Sequence, residues 1–207
     1  MLDELRAELL DRVERDQAAR TSDSLDLEIM RAVDADNVAW LARVVAEHGW
    51  PGRSLVGDDG AHAAWLLAQH ADADPAFQRT CLDLLAAAAD AGEATRPQLA
   101  YLTDRVLLAE GQEQVYGTQT EPSGGRYAPG RLRDPDSVDE RRAAVSLGPI
   151  AEYVEQVNAS FGPPQAQMAC DQCGALVSFP LPGDGAEQQV TCAQCGHAVT
   201  LRFPPED

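Results

Sequence analysis

The chain has 207 residues, 44% of them hydrophobic, and a formal charge of −18 from 16 basic and 34 acidic side chains, which suits one ordinary folded domain with a small appendage rather than a disordered chain. Every basic residue is an arginine, which excludes a Schiff-base lysine, a lysine general base and a phosphate-loop lysine. The acidity repels nucleic acid and anionic membrane surfaces.

Residues 2–20 read as an amphipathic helix, with Leu2, Leu5, Leu9 and Val13 at helical spacing. A break is expected over 21–24, then a turn or two of helix over 25–32. Asp36 reads as the N-cap of a helix over 37–47 striped by Val38, Leu41, Val44 and Val45, stopped by Gly49 and Pro51. The next helix starts at Asp58 or Asp59 and runs to Ala71. Asp74-Pro75 opens another that ends near Gly92, and Thr95 caps one over 96–109 that Gly111 ends. Residues 112–135 are rich in Gly and Pro and read as a long ordered loop or β-ribbon. Asp136 or Ser137 opens a short helix through Ala144. Gly148-Pro149 begins the last one, with Ile150, Tyr153, Val154 and Val157 facing inward.

Residues 161–167 read as a linker, after which helical periodicity stops. The expected architecture is therefore mainly α: a helical domain of six or seven helices over 1–160, a linker over 161–167, and a small β module over 168–207. The start of the chain has no basic or apolar segment of a signal peptide, and no stretch nears the roughly 20 apolar residues of a membrane span. A cytoplasmic protein is expected.

The β module carries the most specific motif. Cys170-Asp171-Gln172-Cys173-Gly174 and Cys192-Ala193-Gln194-Cys195-Gly196 are two C-x-x-C-G copies separated by 18 residues, inside the spacing of four-cysteine zinc sites. A two-residue spacer closes a tight knuckle that aims both sulfurs at one centre, and the glycine after each pair allows the left-handed backbone the knuckle needs. Two knuckles complete a four-thiolate tetrahedron for one Zn2+. Leu176–Leu181 and Ala198–Phe203 alternate like strands around a Gly183–Gly185 turn. The stretch 168–203 resembles the zinc-ribbon family. An iron–sulfur cluster would use the same ligands; a redox dithiol would use one pair, not two. Residues 165–207 hold one arginine against five acidic residues, so phosphates are repelled, and four thiolates leave no open position for catalysis. The ribbon reads as structural or as a protein-docking surface. Cys81, in an apolar helix, reads as an inert buried thiol.

Residues 36–155 resemble an uncharacterised bacterial domain family through His48-Gly49-Trp50-Pro51, Leu55-Val56-Gly57, Leu67–Asp72, Tyr101–Val106, Gln114–Gln119, Asp139–Arg142 and Leu147-Gly148-Pro149. The resemblance implies the domain boundary and no activity, with the ribbon as an addition. Read on their own chemistry, His70 and Asp104 fall on the apolar faces of their helices. A His70–Asp104 hydrogen bond would either make His70 a general base or only lock two helices. Arg105, Gln114, Tyr116, Thr118 and Gln119 form a donor-rich group suited to the rim of a small polar ligand's site, or to satisfying the loop's own backbone. Two functions compete: a zinc-binding protein whose helical domain binds a small polar ligand or a protein partner, and a small-molecule enzyme with His70 as base, Asp104 as its orienter, and Arg105, Tyr116 and Gln119 placing substrate.

Overall fold

The computed structural model describes residues 2–21, 26–183 and 185–203. Among them are seven helices, α1 (Asp3–Thr21), α2 (Leu27–His48), α3 (Arg53–Gln69), α4 (Pro75–Asp90), α5 (Arg96–Ala109), α6 (Val138–Ala144) and α7 (Ile150–Phe161). Six strands complete the description: β1 (Thr120–Ser123), β2 (Arg126–Pro129), β3 (Gln165–Ala169), β4 (Leu176–Pro180), β5 (Glu187–Thr191) and β6 (Ala198–Arg202). The chain is mainly α with small antiparallel strand pairs at the C-terminal end. No described helix is long and apolar enough to cross a membrane.

Local chemistry sets most helix starts. Asp74 accepts from the Phe77 amide at 3.0 Å, with Pro75 at the first helical position. Thr95 and Gln98 form a reciprocal capping box at α5. The second helix departs from expectation. It runs unbroken from Leu27 to His48, and its cap is Asp26, which accepts from the amides of Glu28 and Ile29. Asp36 lies mid-helix and takes Arg12 Nη1 at 2.8 Å instead of capping, so a cap-competent side chain serves an interhelical ion pair. Of the break expected over 21–24, Thr21 is the last residue of α1, and 22–24 lie outside the described residues. Gly57 (φ 78°, ψ 170°) interrupts α3, which leaves its first turn offset from the helix predicted to start at Asp58.

The chain divides into two compact units, residues 1–118 with 131–147, and residues 119–130 with 148–207. In this division α7 and the β1–β2 hairpin fall in the same unit as the cysteine module.

In the first unit, Leu9, Leu41, Val56, Leu67, Leu85, Leu102 and Val106 form the core. Cys81 is fully buried there, and burial pushes its thiol up to about 12. Trp40, Trp50 and Trp65 pack against this core while keeping partial exposure. The irregular segment after α5 is held by a buried anion. Asp104, with no exposed surface, accepts from the backbone amides of Val115 (2.7 Å), Tyr116 (3.1 Å) and Thr118 (2.9 Å) and from the Thr118 hydroxyl (3.0 Å). The carbonyls of the same segment are met from α6. Arg141 Nε donates to Val115 O at 2.7 Å, and buried Arg142 Nη1 donates to Tyr116 O at 2.7 Å. Amides and carbonyls of one loop thus find opposite charges on two helices, which satisfies groups that burial would otherwise leave costly.

In the second unit, β1 and β2 pair from Thr120↔Pro129 to Ser123↔Arg126. Asn158 of α7 brackets Tyr127, accepting from its amide at 2.9 Å and donating to its carbonyl at 2.8 Å. The inward face expected for α7 is only half-buried, and no residue of this helix is fully buried. Strand β3 starts at Gln165, inside the stretch expected to be linker, and pairs with β4; β5 pairs with β6.

Replacing Asp104 by Ala removes the acceptor of three amides and a hydroxyl, so urea unfolding should show a loss of about 3 kcal/mol. An unchanged midpoint would mean that the loop is held by something else.

Candidate metal centre

Each of the two cysteine knuckles is the turn of a hairpin. Ala169↔Leu176 closes the β3–β4 ladder and Thr191↔Ala198 closes the β5–β6 ladder, so Cys170–Ala175 and Cys192–His197 are equivalent six-residue turns. Their backbones match bond for bond. Cys170 N donates to Ala175 O and Cys192 N to His197 O, both at 2.8 Å. Gly174 N returns to Cys170 O at 2.8 Å and Gly196 N to Cys192 O at 2.9 Å. Gly174 (φ 73°) and Gly196 (φ 75°) take the left-handed backbone at the same place.

These turns bring all four sulfurs together. The Sγ atoms of Cys170, Cys173, Cys192 and Cys195 lie within 4.8 Å of one another, a set that could hold a metal ion. Cys170 and Cys195 are 3.6 Å apart and Cys173 and Cys192 are 3.7 Å apart, far beyond the roughly 2.05 Å of a disulfide; all four are free thiols. The electrostatics fit a cation. Amides of Cys195 and Gln194 hydrogen-bond the Cys192 sulfur and draw its thiol down to about 7. Cys195 moves the other way, to about 12: the His197 amide favours its thiolate, but lost solvation and the Cys173, Cys170 and Cys192 sulfurs outweigh it. Four close sulfurs therefore resist joint ionisation unless positive charge sits among them. His197 places Nε2 3.0 Å from Asp171 and contributes no atom to the four-sulfur set.

The helical unit rearranges the other candidates. His70 and Asp104 do not form the expected pair. His70 Nδ1 lies 2.9 and 3.0 Å from the two carboxylate oxygens of Asp16 on α1, while Asp104 is taken up by the loop. The buried carboxylate on α5 accepts from the backbone amides of the loop, and the imidazole meets the carboxylate on α1. Asp16 has no exposed surface. Arg105 is an ion-pair partner of Asp72, at 2.8 Å and 2.5 Å. Gln114 is buried, its backbone bonded to Arg131 O and Arg133 N. Tyr116 and Thr118 belong to the Asp104 cradle. Each of these four makes hydrogen bonds within the unit. Gln119 falls in the other unit.

A family model described as a family of unknown function, DUF6624, matches residues 3–164. The chain belongs to this family. The match stops one residue before β3, so the DUF6624 part comprises α1–α7 and the β1–β2 hairpin, and the four cysteines lie beyond it. Within the DUF6624 part, Asp72 binds Arg105, and Asp104 and Arg142 grip the 115–118 backbone. No curated protein matches the chain, and no solved structure does.

The partner that sequence reading missed is Asp16. Burial favours its neutral form, but the hydrogen bond and charge of His70, the Gln17 hydrogen bond and the charge of Arg20 together outweigh burial and hold its carboxyl below the usual carboxylate range. A lowered folded-state value means that the stabilisation is complete above about pH 4 and is lost as pH falls below it. Asp16→Asn should cost about 2 kcal/mol in urea unfolding at neutral pH, and its gap to the unmodified chain should narrow below about pH 4. A gap that stays constant across that range would remove the ionised Asp16 from the account.

Proposed function

We propose that Cys170, Cys173, Cys192 and Cys195 hold one zinc ion and that the protein is a cytoplasmic zinc-binding member of its family, its β module shaped by the metal and its helical part binding a small polar ligand or a protein partner. The observation that carries the metal reading is the pair of sulfur separations, 3.6 and 3.7 Å. A tetrahedron with zinc–sulfur bonds of about 2.3 Å has edges of about 3.8 Å. Four protein ligands fill that coordination shell, so the ion's role is structural. The small apolar content of the module supports this: Phe179 and Val190 are its buried hydrophobic side chains besides two of the cysteines, too few to fold so short a segment alone. Reduced thiols as ligands fit a reducing compartment.

Metal analysis of the freshly purified chain should find about one zinc per chain. Cys173→Ser should lose it and melt the β module while leaving the α1–α5 core folded by circular dichroism. Metal-free fresh protein with Cys pairs in disulfides would contradict the reading.

A second reading keeps the enzyme alternative with Asp16 in place of Asp104. What favours it is that Asp16 fixes Nδ1 of His70, while among the described residues no hydrogen-bond partner takes Nε2. A carboxylate on one nitrogen and a lone pair on the other is the arrangement of a general base. Imidazole 15N NMR should find the neutral ring protonated at Nδ1. A ring protonated at Nε2 would leave His70 as a helix lock and nothing more.

A further inference from the structure

A cavity of about 420 Å3 opens in the helical unit between α3, the 93–95 turn and the start of α5. Neither His70, Asp104 nor the 114–119 loop lines it, so it is separate from the cysteine site and from the His70 reading, and it gives the ligand-binding reading of the helical part a place and a ligand class. Its size is that of small-molecule sites, which run from roughly 300 to 1,000 Å3. Three rings form one wall. His62 and Trp65 stand with centroids 5.1 Å apart, and Trp65 meets Tyr101 edge-on at 6.1 Å. Trp65 is fixed in place because its Nε1 donates to Gln98 O at 2.9 Å.

The charged lining is biased towards acid. Asp58 and Glu93 face a single arginine, Arg53, which is itself paired with Asp58 at 3.1 Å. Glu93 is held rigidly. Its carbonyl takes the Arg53 amide at 3.0 Å, its Oε2 takes the Ser54 amide at 2.8 Å, and a Cβ at Gly52 would come within 2.7 Å of it. It thereby serves as the missing side-chain cap of α3, whose own N-cap is Gly52. An anchored carboxylate beside a tryptophan face attracts a cation at little ordering cost, and a chain of net charge −18 draws cations in and repels anions.

We propose that this cavity binds a small organic cation bearing a flat ring, the ring against Trp65 and Tyr101 and the ammonium group on Glu93, with Asp58 adding to the negative potential at the mouth. The site is a binding site; none of its groups is assigned a bond-making role.

The test titrates the full 15N-labelled chain with phenethylammonium and, separately, with phenylacetate. Both are followed at the Trp65 indole N–H, assigned through Trp65→Phe. The proposal expects a saturable shift with phenethylammonium and none with phenylacetate. Glu93→Gln should weaken binding about fivefold or more. Asp58→Asn, at a side chain 81% exposed, should weaken it at an unchanged melting temperature, which separates lost binding from lost folding. No saturable shift by about 10 mM ligand, equal binding of the two probes, or both carboxylate variants binding as the unmodified chain does would each overturn it.

Discussion

Four sulfurs held within 4.8 Å of one another cannot all be thiolates unless a positive charge sits among them. That constraint organises the two hairpins of the cysteine module. The backbone of each knuckle is a hairpin turn, so fixing the sulfurs fixes two hairpins and their registers at once. The strands then need little apolar burial of their own, and they have little: alternate residues of β3 and β6 are exposed and none is fully buried. Zinc, on the reading proposed above, converts a segment too small for a hydrophobic core into a rigid module.

The helical unit solves the opposite problem with the same physics. There the buried charge is the anion Asp104, and the compensation comes from backbone amides and a hydroxyl rather than from a metal. The arginines of α6 complete the arrangement by taking the carbonyls of the same segment. The irregular 115–118 segment thereby has amides and carbonyls met from two helices. Asp72, Arg105, Asp104 and Arg142 thus all make hydrogen bonds inside the helical unit.

Legibility in the sequence followed locality. The caps at Asp74 and Thr95 and the knuckle glycines are signals within five residues of their effect, and each sits where the spacing placed it; the four cysteines cluster as their spacing implied. Strands β3 and β5 went unread because Gln165–Ala169 and Glu187–Thr191 are polar and short; their pairing comes from the knuckles, not from their own pattern. Asp36 was misread as a cap because Arg12, its partner, lies 24 residues away. The partner of His70 lies 54 residues away on α1, and nothing near either residue announces it. Glu93 carries no local motif at all; only the close approach of the 93–95 turn to Gly52 and Ser54 reveals it.

The central claim, that four sulfurs enclose one ion and shape the module, is tested most directly by X-ray absorption at the zinc edge on the purified chain. The account predicts a first shell of four sulfur scatterers at about 2.3 Å. A shell containing nitrogen or oxygen ligands, or an absence of zinc with sulfurs bonded to one another, would contradict it.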